Sequence, residues 1–196
     1  MPRDIPVGNG RLLVCFDENY AIRDFYFPHV GQENHVSGGH CRTGVWVDGA
    51  FSWIDGSWKR DLKYMTDTLV TEVSLYHRDF ELLLVCNDVV DFHEDLYIRH
   101  ITIENMQARE REVRLFFHQD FNISGNPIGD TAAYDPQTKA VFHYKAARYF
   151  LIGGSTSRSH GIEGFAVGQK GMAGKEGTYR DAEDGFLSGN SVAQGS

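Results

Sequence analysis

Residues 68–121, TLVTEVSLYHRDFELLLVCNDVVDFHEDLYIRHITIENMQAREREVRLFFHQDF, carry the strongest signal for the fold class. Apolar and polar side chains alternate in runs of about 6 to 10 residues, which is the period and length of half-buried β-strands. Short polar turns separate the runs, near Arg78-Asp79, near Glu94-Asp95 and from Gln107 to Glu110. Strands joined by turns this short pair antiparallel. The stretch therefore predicts an antiparallel sheet.

The same pattern continues towards the amino terminus. The runs GRLLVCF (10–16) and AIRDFYF (21–27) are separated by a short polar segment, and Asp48-Gly49 lies between two aromatic-rich runs. An Asp-Gly pair in such a position is a strong signal for a β-hairpin. No window longer than about 12 residues repeats apolar side chains at helical spacing. Many short strands joined by turns predict an all-β, antiparallel sandwich or barrel.

The strand predicted at 112–121 has two unlike faces. One face carries Val113, Leu115, Phe117 and Phe121, and the other carries Glu112, Arg114, Phe116, His118 and Asp120. The second face is too aromatic for plain contact with solvent. We therefore expect it to be covered by another element or to line a groove.

Aromatic side chains also cluster around the Asp48-Gly49 hairpin. They are Trp46, Phe51, Trp53, Trp58 and Tyr64. Such rings can present an apolar face to a sugar ring. The favoured interpretation is nevertheless that they pack inside the sandwich.

The composition limits the class of protein. The chain has 196 residues, 41% hydrophobic and 23% charged, which suits one folded domain with a core. A formal net charge of -8 offers no basic patch for phosphates, so we expect no nucleic acid and no membrane among the partners. The most apolar run, ELLLVCNDVV (81–90), is too short to span a bilayer, and residues 1–10 lack the apolar core of a secretory signal. We expect a cytoplasmic protein.

The histidine and cysteine spacing predicts neither a metal nor a cofactor. His29, His35 and His40 lie close to Cys41, but no second pair of ligands with the short spacing of a structural zinc site is present. We expect the imidazoles to form hydrogen bonds across a turn instead. The three cysteines form an odd set without a CxxC motif, which predicts small buried side chains at Cys15, Cys41 and Cys86.

No pair of carboxylates is singled out by its spacing. A glycosidase needs two carboxyl groups about 5 to 9.5 Å apart, one of them with a raised pKa. The candidates are Glu33, Asp88, Asp91, Glu94, Asp120, Asp181, Glu183 and Asp184. The motifs of acyl transfer, nucleotide binding and zinc proteases are also absent from the sequence.

The composition changes at Ser155. From there to Ser196 the chain is rich in glycine and poor in apolar runs, which predicts a long Gly-rich C-terminal loop region. One helical turn is expected to begin at Thr178. No closing strand is predicted near Ser196, so we expect the chain to be part of something longer.

Three long strings carry a resemblance to a known family. They are IPVGNGRLLVCFDENYAIRDFYFPHVGQENHVSGGHCRTGVWVDGAFSWI (5–54), LFFHQDFNISGNPIGDTAAYDPQTKAVFHYKAARYFLIGG (115–154) and GKEGTYRDAEDGFLSGNSVAQGS (174–196). Together they resemble the amino-terminal region of prokaryotic glycoside hydrolase family 15 enzymes, the glucoamylase, glucodextranase and trehalase group. The resemblance extends over essentially the whole chain.

The resemblance implies an antiparallel super-β-sandwich, related to galactose-mutarotase-like folds, ahead of an (α/α)6 catalytic barrel. In that family the inverting acid and base are both glutamates of the barrel. This chain would then be a single β-sandwich domain, 1–196, that stops before the last strands of the sandwich and before the barrel. No catalytic residue is expected in it, and its partners would be the C-terminal (α/α)6 catalytic domain and an α-glucoside substrate near the interface.

The resemblance and the polarity of two loops suggest candidate contact residues. The first loop lies in FYFPHVGQENH (25–35), and the second lies in RDAEDG (180–185). We expect these residues to contact the barrel or to wall its outer subsites: Pro28, His29, Gln32, Glu33, Asn34, His35, Arg180, Asp181, Glu183 and Asp184. Two alternatives remain open, an independent carbohydrate-binding module and, less favoured, a mutarotase-like enzyme with a histidine and a carboxylate as acid and base.

Overall fold

The chain forms antiparallel sheets almost throughout. The computed structural model describes residues 5–37, 41–126, 128–170 and 176–194. The strands are β1 (Ile5–Gly8), β2 (Leu13–Phe16), β3 (Ile22–Tyr26), β4 (Arg42–Val47), β5 (Ala50–Trp53), β6 (Lys59–Tyr64), β7 (Thr71–His77), β8 (Leu82–Val90), β9 (Tyr97–Asn105), β10 (Val113–His118), β11 (Thr131–Asp135), β12 (Ala140–Lys145), β13 (Arg148–Ile152) and β14 (Val192–Gln194). Two short 3-10 helices, Ile123–Gly125 and Tyr179–Asp184, complete the regular elements. The predicted all-β sandwich is confirmed.

Four sheets build the sandwich, and every strand pair in them is antiparallel. Their strand orders are β1-β2-β3, β10-β4-β5, β13-β12-β11-β14 and β6-β7-β8-β9. The turns predicted in 68–121 join β7 to β8, β8 to β9 and β9 to β10. Asp48 and Gly49 both have positive φ, 48° and 96°, between β4 and β5. Two positive φ values are those of a type I′ turn, whose twist matches that of the paired strands.

The core follows from alternation along the strands. In β7 and β8 every second residue is buried, as the sequence pattern predicts. Val73, Leu75, Leu82 and Leu84 are completely buried. Burying one such side chain contributes about 1.5 to 3 kcal/mol. The inward face of this hairpin therefore contributes a large part of the free energy that stabilises the fold.

One residue of the predicted apolar face of β10 departs from expectation. Val113, Leu115 and Phe121 pack against the core, but Phe117 keeps 47% of its surface exposed. β10 is the edge strand of its sheet, whereas its partner β4 lies in the middle. Thr43, opposite Phe117 on β4, is buried.

The cysteines are buried, as predicted. Cys15, Cys41 and Cys86 are free thiols, and burial raises the pKa of Cys41 to about 12 and that of Cys86 to about 11. A thiol with such a pKa carries almost no thiolate at neutral pH and is a poor nucleophile. In the part of the chain that is described, no helix is long and apolar enough to cross a membrane.

Candidate functional site

The first candidate region is a loop that leaves β3 and folds back onto it. We call residues 27–35 the 27–35 loop. Its backbone is closed by bonds from Phe27 N–H to the Glu33 carbonyl (3.2 Å) and from Gln32 N–H to the His29 carbonyl (3.1 Å). Gly31 supplies the positive φ (81°) at the tip, a conformation that favours glycine. The loop is therefore an ordered turn.

Asn34 and Glu33 fix the returning arm of this loop. The Asn34 side-chain oxygen accepts hydrogen bonds from the backbone N–H groups of Phe25 and Val36, each at 3.1 Å. The Glu33 carboxylate accepts two bonds from Arg148 of β13, at 3.0 and 2.9 Å. Both side chains of this ion pair are about 70% shielded from solvent, so the paired geometry ties the loop to the next sheet.

His35 anchors the base of the loop from inside the protein. Its side chain is completely buried. Its Nδ1 accepts the Ser124 N–H at 3.0 Å, so Nε2 carries the proton and donates to the Phe27 carbonyl at 2.5 Å. Burial lowers the pKa of His35 because it disfavours the charged ring. His35 therefore supports the loop and presents no surface to a substrate or another domain.

The tip of the 27–35 loop is what remains accessible. His29 and Gln32 are exposed, Val30 is 39% exposed and Pro28 is half-buried. Six contact residues were predicted in this loop. Glu33, Asn34 and His35 are anchored by side-chain hydrogen bonds, whereas Pro28, His29 and Gln32 are accessible and are not anchored in this way. These residues are the ones able to meet a partner.

The second candidate region begins at Thr178, as predicted. The 3-10 helix Tyr179–Asp184 follows it, and the Thr178 hydroxyl donates to the Ala166 carbonyl at 3.0 Å. Arg180 is exposed and pairs with Glu176 at 3.0 Å. Such an exposed pair contributes at most about 1 kcal/mol, so it leaves Arg180 available for another partner.

The acidic residues of this helix differ in their accessibility. Asp181 is half-buried and accepts the Ser188 N–H at 3.3 Å, and Asp184 accepts the Phe186 N–H at 2.9 Å. Glu183 and Asp184 are exposed. The exposed side of the segment thus carries one cation and two carboxylates.

The inner side of the second region covers the aromatic face of the β10-β4-β5 sheet. The Arg42 guanidinium lies 5.2 Å from the Trp53 ring and 5.1 Å from the Tyr179 ring. Arg114 repeats this arrangement, 4.5 Å from both Trp46 and Phe186. Cation–π contacts of this kind, partly removed from water, each contribute about 1 to 2 kcal/mol. Of the two predicted outcomes for this face, coverage by another element is the correct one.

The aromatic cluster of the hairpin divides between two places. Trp53 and Phe51 pack edge-to-face on the covered face, 4.9 Å apart. Trp58 is 2% exposed and packs against His77, with ring centroids 4.9 Å apart. Packing inside the sandwich, as predicted, therefore accounts for Trp58, whereas Trp53 and Phe51 lie on the covered outer face and outside the core cluster. Tyr64 is different, since it is 36% exposed and donates its hydroxyl to the Pro6 carbonyl at 2.6 Å.

The most buried carboxylate holds the interior together. Asp88 has no exposed surface and accepts hydrogen bonds from Tyr20, Tyr97, Thr71 and Arg99. The Arg99 bond is 2.7 Å long. A carboxylate with four donors has no lone pair left for a reacting water or sugar, so Asp88 is structural.

Two other carboxylates considered for acid–base chemistry, Asp120 and Asp91, are also engaged in local contacts. Asp120 pairs with Lys170. Asp91 accepts the backbone N–H groups of His93 and Glu94, both at 2.8 Å, and these bonds lower its pKa. In the described ranges no hydrogen bond joins two of the candidate carboxylates, and no group of three side chains is arranged to hold a metal ion. His40 lies outside the described residues.

The two candidate regions are separate sites in the described structure. The 27–35 loop is bound to β13 and to the turn at Ser124, whereas the Tyr179–Asp184 helix packs on β4 and β5. Within the residues that are described, no hydrogen bond or ring contact connects the two. Sequence reasoning missed Arg148, Ser124 and Arg42, because Glu33, His35 and Tyr179, which they contact, lie far away along the chain.

The comparisons with known proteins point to glycoside hydrolases. No family model matches the chain. Over 190 residues, or 96% of its length, it is 27% identical to an uncharacterized glycosyl hydrolase of Methanocaldococcus jannaschii, of which the match covers 29%. The fold is similar to part of a bacterial glucoamylase solved with acarbose, with a TM-score of 0.75 and 12% identity over 95% of this chain and 27% of that one. The chain thus spans less than a third of either protein, and the two similarities support a glycoside-hydrolase-related domain.

Proposed function

We propose that this chain is a non-catalytic β-sandwich domain of an α-glucoside hydrolase of the family 15 type. In this proposal it supports a separate (α/α)6 catalytic barrel, and the tip of the 27–35 loop and the exposed side of the Tyr179–Asp184 helix contact that barrel or wall the outer part of its substrate site. Both regions present polar side chains from ordered backbone, which suits a fixed contact surface.

The observation that carries the proposal is that three candidate carboxylates, Glu33, Asp88 and Asp120, are already bound by cationic side chains. An inverting glycosidase needs one carboxyl group to donate a proton and another to activate a water. Here Glu33 is bound to Arg148, Asp88 is saturated by four donors and Asp120 is bound to Lys170. Together with the similarity to a glycosyl hydrolase, these bonds support the proposal of a domain that assists chemistry performed elsewhere.

The test uses the protein encoded by the complete reading frame. We expect the paired substitution His29→Ala with Gln32→Ala to raise KM for maltooligosaccharides while the melting temperature is unchanged, because both side chains are exposed. The matched control is Lys63→Ala, an exposed change on β6 far from either loop along the chain. An unchanged KM in the loop variant, together with unchanged activity in an Arg180→Ala variant, would remove the contact role from both regions.

A further inference from the structure

The β13-β12-β11-β14 sheet has an inner and an outer face. His143 and Phe150 lie opposite each other on the inner face. Phe150 is 9% exposed and packs edge-to-face on Phe25 at 5.5 Å. The alternate residues of these strands therefore point away from the core.

The outer face is apolar where an outer sheet face is usually polar. Its register places six apolar side chains together: Ala133, Phe142, Tyr144, Tyr149, Leu151 and Val192. We call this set the outer aromatic face. Among its described neighbours on the same side, Asp135 carries a charge, and that carboxylate is used within its own turn by Thr138 and Gln137.

The outer aromatic face is both ordered and exposed. The Tyr144 and Tyr149 rings stack at 5.6 Å with planes 10° apart. Tyr149 is 65% exposed, Leu151 67% and Val192 58%. Contiguous apolar surface of this kind on a sheet marks a place where another molecule or domain packs.

The chemistry of this face selects among the ligands that could cover it. A sugar site needs several polar groups placed for the sugar hydroxyls. On the outer aromatic face the polar groups are few, chiefly the hydroxyl groups of Thr131, Tyr144 and Tyr149. Obligate interfaces are apolar and nearly uncharged at their centre, and the outer aromatic face has the same composition.

The length of the similar proteins supports one class of partner. This chain corresponds to 29% of the glycosyl hydrolase and to 27% of the glucoamylase, so most of each protein lies outside the corresponding region. We propose that the outer aromatic face is the surface on which a further part of the same polypeptide packs in a protein of this kind, through an apolar, uncharged surface of its own. The proposal rests on the part of the proposed function that makes this chain one domain of a larger protein, and does not depend on the reaction catalysed.

Hydroxyl-radical footprinting of the protein from the complete reading frame tests this proposal. Leu69 and Leu151 form a matched pair inside one molecule, since they are the same residue type and are 69% and 67% exposed. If the outer aromatic face is covered, Leu151 should be oxidised about five-fold or more slowly than Leu69, because residues at the centre of an interface are nearly fully buried. In the 196-residue chain alone the two rates should be similar.

Lysine substitutions at Leu151 and Leu69 extend the test. Leu151→Lys should lower the melting temperature of the complete protein and leave that of the 196-residue chain unchanged. Leu69→Lys should change neither. The readout does not involve hydrolysis, so a covered face in a protein without α-glucosidase activity would reject the proposed function and keep this inference.

Four outcomes overturn the inference. The first is equal oxidation of Leu151 and Leu69 in the complete protein, and the second is a reading frame that stops at Ser196. The third is protection of Leu151 that disappears on dilution, which identifies a second copy of the chain as the partner. The fourth is protection that appears only when maltooligosaccharide is added, which identifies a sugar platform.

Discussion

Replacing His35 by alanine should destabilise the protein strongly while leaving the surface unchanged. The substitution removes the acceptor of the Ser124 N–H and the donor to the Phe27 carbonyl, both at a completely buried position. Each unsatisfied buried group costs about 1 to 3 kcal/mol. The ring also packs on Phe150, with centroids 4.8 Å apart. The expected loss is about 3 to 5 kcal/mol, a large part of the roughly 5 to 15 kcal/mol that keeps a typical domain folded.

Urea unfolding followed by tryptophan fluorescence measures this loss. His29→Ala is the matched control, because His29 is an exposed histidine in the same loop and should change the free energy of unfolding by less than about 0.5 kcal/mol. His35→Gln retains a polar side chain and should recover part of the loss. A loss below about 1 kcal/mol for His35→Ala would refute the assignment of His35 as the anchor of the 27–35 loop.

Three further predictions concern other parts of the sandwich. Asp88→Ala leaves the buried charge of Arg99 unpaired and should cost about 3 to 5 kcal/mol in the same urea assay. Gly185→Ala should weaken the near-ultraviolet circular dichroism of the tryptophans, because its φ is 88° and a Cβ atom would lie 2.6 Å from the Trp46 indole nitrogen. His143 should contribute about 2 kcal/mol to a fall in stability between pH 7 and pH 5, because burial lowers its pKa from 6.5 to about 4, so only the unfolded chain binds a proton there.

Each of these predictions has a control or a contradicting result. Asp61→Ala, at a largely exposed carboxylate, should leave stability nearly unchanged. Gly189 also has positive φ (73°), but a Cβ atom added there would meet nothing within 4 Å, so Gly189→Ala reports backbone strain alone. His143→Phe should remove the part of the pH dependence that is due to His143 and leave the part due to His35, whose pKa is also lowered by burial. An unaltered slope in that variant would assign the effect to other groups.

Local features of the sequence were sufficient for the fold class. Alternation in 68–121 predicted half-buried strands, and every second residue of β7 and β8 is buried; the Asp48-Gly49 pair located the hairpin between β4 and β5. These signals work because strand period and turn chemistry are fixed by residues close together along the chain. The same reasoning predicted the helical turn after Thr178.

The candidate site depends on contacts that no local pattern encodes. Glu33 meets Arg148 across 115 residues, and His35 meets Ser124 across 89. To predict that the β10-β4-β5 sheet is covered, one would need to know that the Tyr179 ring packs against Arg42. A motif such as FYFPHVGQENH shows that a loop is polar, but which of its side chains are buried is set by the elements that pack on it. His35 and His29 differ only in that respect.

In the proposed function, this chain carries no acid–base pair for cleaving an α-glucosidic bond. The most direct measurement is glucose release from maltooligosaccharides and trehalose by the purified 196-residue chain, beside the protein from the complete reading frame. We predict no release above the blank for the chain alone, and hydrolysis with inversion at the anomeric carbon for the complete protein. Glucose release by the chain alone that is lost on substitution of one of its own carboxylates would contradict the account.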